Sequence, residues 1–234
     1  MRTIAEVAGY AYSLTDSGVW VNLYGSNVLD TNLPDGSRLK LIQETNYPWD
    51  GTIRFTFAEV PTTAMSVFLR IPGWSSEANV RVNGVSLNRA TQAEQYYEVK
   101  RTWAKDDRIE LTLPMTAQLL EAHPLVEETR NQVAVKRGPL IYCLESLDLP
   151  DSVDITDIAL TPTTKFNARF VPDLLGGISV LKGKALRLPA GKWDGTLYRN
   201  ISSKTPQIID VTFIPYYTWG NRGHSEMTVW LPVR

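Results

Sequence analysis

Between residues 19 and 113, apolar and polar side chains alternate in short runs, each closed by a turn signal. This pattern constrains the fold more than any other feature of the chain. Val19, Val21 and Leu23 share one face of an extended segment, with Trp20, Asn22 and Tyr24 on the other, because successive strand side chains point to opposite sides. Leu39 and Leu41 repeat the pattern, as do Ile53, Phe55 and Phe57, then Val67, Leu69 and Ile71 up to the turn at Pro72-Gly73. Val80 and Val82 run into Asn83-Gly84, a dipeptide suited to the φ > 0 positions of a two-residue hairpin turn. Tyr97 with Val99, and Ile109 with Leu111 and Leu113, complete the series. Short alternating strands at this spacing predict an antiparallel sandwich.

The second half continues in the same style with less regularity. Val133 and Val135 lead to Arg137-Gly138-Pro139, followed by Leu140, Tyr142 and Leu144, which predicts a strand pair joined or bulged at Gly-Pro. Further strands are expected over 155–160, 166–170, 178–181, 209–213 and 227–231, with loop over 183–207. The opening differs from both halves. Ile4, Val7, Ala8 and Ala11 recur at helical spacing and Thr3 with Glu6 suits a capping box, so a helix is expected from Thr3 to Leu14. Alone it would be too short to be stable. The expected organisation is therefore all-β: a residual helix over 1–16, one antiparallel sandwich over 17–118 and a second over 119–234.

Composition narrows the function. With 24 basic and 25 acidic residues the formal net charge is −1, and no basic stripe marks a nucleic-acid surface. No apolar run approaches the length of a membrane span. The N-terminus lacks the apolar core of a signal peptide. A soluble bacterial-type protein is expected, cytoplasmic or secreted. Cys143 is the single cysteine, which excludes an intrachain disulfide and a cysteine-rich zinc site.

Several blocks, in order along nearly the whole chain, resemble glycoside hydrolase family 127, the β-L-arabinofuranosidase group. They are Ser17-Gly18-Val19-Trp20-Val21-Asn22-Leu23-Tyr24, Leu69-Arg70-Ile71-Pro72-Gly73-Trp74, Val82-Asn83-Gly84, Arg101-Thr102-Trp103, Asp107 to Met115, Arg137-Gly138-Pro139-Leu140-Ile141-Tyr142, and Pro215-Tyr216-Tyr217-Thr218-Trp219-Gly220-Asn221-Arg222-Gly223. The resemblance implies a parent enzyme with an (α/α)6 barrel and β-sandwich domains beside it. It further implies a zinc-held cysteine nucleophile and a Glu acid/base within that barrel, the nucleophile belonging to a Cys-Cys-Pro motif shortly before the opening helix. No position here matches those residues, so no catalytic and no metal residue is assigned. Zinc is expected only in the barrel, and the barrel is the expected partner, with Ile4, Val7 and Ala11 as the face that packs on it. A homodimer is a further expectation; nucleic acid and membrane are not.

Other chemistry finds little support. A reactive cysteine needs a cation or metal to lower its pKa, and Cys143 lies between Tyr142 and Leu144. Hydrolysis otherwise needs two carboxylates about 5–10 Å apart. Glu44, Glu98, Glu127, Glu128, Asp210 and Glu226 are candidates, but sequence spacing does not bring them together. His123 and His224 form no ligand spacing. Trp74, Trp103, Trp219 and Trp230 raise the question of sugar stacking. Trp74 and Trp219, beside glycine turns, are the first to consider, with Asn221 and Arg222 as neighbouring sugar or interdomain contacts. Three functions stay open: an accessory region of an arabinofuranosidase-type enzyme, an independent carbohydrate-binding module, and an unrelated β-sandwich interaction protein.

Overall fold

The computed structural model describes residues 6–16, 18–75, 77–188, 191, 195–200 and 205–234. Contacts divide the chain into two compact units, residues 1–115 and 116–234. The first contains β1 (Tyr12–Thr15), β2 (Gly18–Val21), β3 (Asn27–Asn32), β4 (Arg38–Thr45), β5 (Thr52–Glu59), β6 (Met65–Arg70), β7 (Asn79–Val82), β8 (Val85–Ser86), β9 (Tyr96–Arg101) and β10 (Arg108–Thr112). A four-stranded sheet, β1-β2-β6-β9, faces a six-stranded one, β3-β4-β5-β10-β7-β8. Their inward residues meet in one core. Val19, Val21, Val67, Leu69, Tyr97 and Val99 come from the first sheet, and Leu39, Leu41, Ile53, Phe55, Phe57, Val80, Ile109 and Leu111 from the second. These are the odd or even partners that the alternation assigns to one face, so the local period of two is what the sandwich buries.

Two glycine positions show why the turns sit where they do. Gly18 has φ +142, and a Cβ there would lie 2.0 Å from the Ser66 carbonyl oxygen. Only glycine therefore lets β2 run parallel beside β6 at this register. Asn83 and Gly84 both have positive φ, as the tight β7–β8 hairpin requires. The Asn83 carboxamide also donates to Asp107 Oδ1 at 2.8 Å and accepts from the Arg108 amide at 2.8 Å, which fixes the hairpin to β10.

The opening helix is not formed as expected. Val7–Tyr10 make a single 3-10 turn and Tyr12–Thr15 are a strand paired with β2; Thr3 and Ile4 lie outside the described residues. The edge of β2 offers Tyr12–Thr15 backbone partners that a lone short helix lacks, and long-range pairing overrides the local periodicity.

The second unit contains β11 (Ala117–Glu121), β12 (Gln132–Arg137), β13 (Leu140–Glu145), β14 (Ile158–Ala159), β15 (Phe166–Val171), β16 (Ile178–Arg187), β17 (Gln207–Pro215), β18 (Met227–Thr228) and β19 (Trp230–Pro232). They form one branched sheet of order β11-β12-β13-β17-β16-β14, with β15 on β16, β18 on β13 and β19 on β12. Gly138, with positive φ, turns β12 back on β13 as a hairpin. The forks at β12 and β13 let the strands enclose a core of Val133, Val135, Tyr142, Leu144, Leu181, Phe213 and Leu231 in a sandwich-like arrangement. Strand β16 continues to Arg187, paired with β17 from Leu181 onward, so part of the expected 183–207 loop is sheet. Its Pro189, Ser202 and Ser203 lie outside the described residues.

Candidate functional site

The residues singled out from sequence fall in different surroundings. Trp74, in the first unit, is half-buried against the core and roughly parallel to Tyr47, with ring centroids 6.5 Å apart. Trp103 is buried, its indole nitrogen donating to the Met65 carbonyl at 2.9 Å. Val7 is exposed and Ala11 buried, whereas Ile4 lies outside the described residues. Trp219, Asn221 and Arg222 lie in the second unit, on the segment that leaves β17. The carboxylates named above do not gather. Glu98 accepts from Ser66 at 2.6 Å and Asp210 pairs with Lys184 at 3.0 Å, while Glu44, Glu127, Glu128 and Glu226 are exposed.

The segment after β17 is built around an ion cluster that sequence reasoning missed. Pro215 ends β17, and Tyr216–Thr218 form a 3-10 turn closed by the Trp219 amide donating to the Tyr216 carbonyl at 3.1 Å. Thr218 turns inward and donates to the Pro215 carbonyl at 2.6 Å. Arg222 then reaches back to the end of β13. Its Nε donates to Glu145 Oε2 at 2.9 Å and its Nη1 to Asp148 Oδ1 at 2.9 Å, with further Nη2 bonds to both carboxylates. Glu145 is fully buried. Its other oxygen accepts from the Gly220 amide at 3.1 Å and the Ser225 hydroxyl at 3.3 Å. Burial disfavours the Glu145 charge, but the Gly220 amide and the Arg222 guanidinium outweigh it and hold the carboxyl below the usual carboxylate value. Asp148 above all, with Glu145, holds Arg222 protonated well above its ordinary range.

Outside this clamp three rings stand in solvent: Tyr216 is 46%, Tyr217 62% and Trp219 45% exposed. Asn221 spends its amide nitrogen on the carbonyls of Thr218, at 3.0 Å, and Trp219, at 3.3 Å. A groove of about 760 Å³ elsewhere in this unit, lined by Asn167, Lys182, Lys184, Asp210 and Thr212 among others, carries no aromatic ring.

The two exteriors of the first sandwich differ sharply. The six-stranded sheet shows water a charged face, with Arg54 to Glu110 at 3.0 Å and Lys40 to Asp30 at 3.3 Å. On the four-stranded sheet, Trp20 and Phe68 stand as register partners, stacked with centroids 3.9 Å apart and planes 9° apart. Tyr96 meets Trp20 edge-on at 4.8 Å. The Tyr96 hydroxyl donates to Asn22 at 2.7 Å, and the Trp20 indole to Thr15 at 3.2 Å.

Cys143 is buried on β13. Burial first, then the neighbouring Glu145, pushes its thiol up to about 12. At pH 8 the thiolate would be on the order of one molecule in ten thousand. Native protein is expected to leave Ellman's reagent uncoloured and to titrate one thiol once unfolded in guanidinium; rapid reaction of the native chain would contradict this. Among the described residues, no three His, Cys, Asp or Glu side chains come together to hold a metal ion. Among these residues the donors do not fit the zinc site that the resemblance implies for the barrel. Among those residues, no helix is long and apolar enough to cross a membrane.

Both β-rich units match domains of a glycoside hydrolase family. Residues 18–115 match the β-L-arabinofuranosidase family 127 middle domain, and residues 117–232 match the glycoside hydrolase family 127 C-terminal domain. The chain belongs to glycoside hydrolase family 127. It is 32% identical over 243 aligned residues to a non-reducing end β-L-arabinofuranosidase of Bifidobacterium longum, covering 97% of this chain and 35% of that protein. A solved glycoside hydrolase is similar at 45% identity and TM-score 0.93, over 99% of this chain and 38% of its own. A family 127 β-L-arabinofuranosidase from Geobacillus stearothermophilus is similar at 37% identity and TM-score 0.90, over 100% of this chain and 36% of its own. The chain thus spans little more than a third of the length of these relatives.

Proposed function

We propose that the chain is the non-catalytic β-sandwich region of a β-L-arabinofuranosidase-like glycoside hydrolase, acting on plant or glycoprotein arabinosides through a catalytic barrel that it supports. The observation that carries this reading is the match of almost the whole chain to the middle and C-terminal domains of a family whose members run to nearly three times its length. The aromatic exterior of the four-stranded sheet supports it. In a freestanding sandwich both outer faces would be polar; here one is charged and the other carries Trp20, Phe68 and Tyr96. Trp20 and Phe68 spend their inner ring faces on each other, which suits packing against protein more than stacking on a sugar. Exposed Val7 and Tyr10 lie just before β1, the edge strand of that sheet. An apolar patch of this kind marks an interdomain contact. Cys143 is buried, and Glu145 and Asp148, two carboxylates that do meet, are spent on Arg222.

The test is reconstitution. The Bifidobacterium relative, made without the third that this chain matches, is mixed with the chain and assayed on p-nitrophenyl β-L-arabinofuranoside with zinc. The chain alone is expected to release no p-nitrophenol. The mixture is expected to co-elute on gel filtration and to gain activity over the truncated relative. Zinc-dependent release by the chain alone, abolished by Cys143→Ser, would refute the reading.

A further inference from the structure

We infer that the turn Tyr216–Trp219 is a carbohydrate-stacking platform, an accessory subsite for an arabinofuranose-bearing saccharide, held in shape by the Arg222–Glu145–Asp148 cluster. The inference rests on the accessory reading for its ligand class and on the geometry for its place.

Three large rings within four residues are exposed together. The turn gains nothing from burying them, and solvent-facing aromatics in a group mark a binding surface. The rings also sit on an unusually fixed backbone. Burying a carboxylate as completely as Glu145 is costly, and an ionic cluster of this kind stabilises less than apolar packing of the same volume. What the cluster does supply is orientation. Glu145 alone holds Gly220 through its amide, Arg222 through its guanidinium and Ser225 through its hydroxyl. The residues that follow the turn are thereby tied to the end of β13, while Thr218 is pinned inward by its bond to the Pro215 carbonyl. A loop that merely joined β17 to β18 would not need three anchors on one buried side chain. Tyr and Trp fixed in this way offer flat amphipathic area at small entropic cost on binding.

The surroundings favour a sugar over a polypeptide. The electron-rich ring faces attract the weakly positive C–H groups of a saccharide's apolar side, and hydroxyl groups need polar partners at the rim. Asn221 supplies one. It is exposed and bound to the turn through the Thr218 and Trp219 carbonyls, and its oxygen has no hydrogen-bond partner among the described residues. The 760 Å³ groove offers lysines and hydroxyls but no ring to stack on.

The experiment follows the indole N–H and the Gly220 and Asn221 backbone amide signals of the 15N-labelled chain while methyl β-L-arabinofuranoside is added. The Trp219 signal, assigned by its loss in Trp219→Phe, is expected to shift with a Kd of roughly 1–10 mM, a weak site of about 3–4 kcal/mol. Trp219→Ala, read from the Gly220 and Asn221 amide signals, should weaken binding at least tenfold. Tyr217→Ala, a surface change, should weaken it several-fold and guards against misfolding of the first variant. Trp74→Phe should leave it unchanged. Gly220 and Asn221 amide shifts that persist undiminished in both Trp219→Ala and Tyr217→Ala, or no shift with the arabinofuranoside, would overturn the platform. Loss of sugar response combined with protection of Trp219 by the truncated relative would also overturn it and make the turn a protein contact. Failure of reconstitution alongside a specific Trp219 shift would instead retire the accessory reading and leave the platform standing.

Discussion

Arg222→Ala is expected to lower the stability of the second unit by about 3–5 kcal/mol, the usual cost of removing one partner from a buried ion pair. Glu145 is fully buried and Asp148 nearly so, and the substitution strands two carboxylates at and just after the end of β13 without a cation. The second-unit cluster gives a built-in control. Adding Glu145→Gln and Asp148→Asn to Arg222→Ala removes the stranded charges and is expected to restore more than half of the loss. Hydrogen exchange of the β13 and β17 amides, followed in urea, reads the second unit separately from the first. A loss below about 1 kcal/mol would show that the cluster is solvated in solution.

The same cluster gives a pH signature. Because the folded Glu145 carboxyl lies below its usual value, its stabilisation is fully present above the unfolded value of roughly 4.3 and fades as pH falls through the lower folded value. The wild-type second unit should therefore lose stability on acidification below that point. Arg222→Ala should move the effect the other way, since a buried carboxylate without its cation gains stability when protonated.

Phe57→Ala is expected to cost the first unit about 3–5 kcal/mol, a large-to-small change in a core that cannot fully collapse. Phe57 is completely buried on β5 and stacks on Trp103 with centroids 4.1 Å apart and planes 18° apart. The loss combines transferred area, the void left between the sheets, and the ring contact. The backbone pairing survives, because Phe57 N donates to the Asp107 carbonyl at 3.0 Å and its own carbonyl accepts from the Asp106 amide at 2.8 Å. The unit should thus unfold at lower urea with its sheet otherwise intact. Trp103 fluorescence is the natural probe, being buried beside the site. A change under about 1 kcal/mol would mean that neighbouring side chains refill the space.

Strands whose alternation puts one apolar face inward were legible from sequence. Ile53, Phe55 and Phe57, Val67 and Leu69, and Ile109 and Leu111 all turn to the first core, because the period of two is a property of the local chain. Strand β3 was not legible. Asn27, Asp30, Thr31 and Asn32 give it a polar edge, and only pairing with β4 makes it a strand. The opening failed in the opposite direction: helical spacing at Val7, Ala8 and Ala11 was present, yet Tyr12–Thr15 joined β2. Trp219, Asn221 and Arg222 were visible as a polar-aromatic turn. Their partners Glu145 and Asp148 were not, since 77 and 74 residues separate them from Arg222 and neither stands out from the other carboxylates in sequence.

By itself the sequence determined an all-β chain with apolar faces at fixed positions, a single cysteine in a strand interior, and ordered blocks that point to one hydrolase family. Alternation and turn residues act over a few neighbours, so they are written locally. Only the tertiary structure decided that the opening segment is an edge strand, that one sandwich exterior is aromatic and the other charged, and that Arg222 closes on two carboxylates at the end of β13 and just after it. Those outcomes depend on which distant segments meet, and burial changes the energy of a ring or a charge only after they have met.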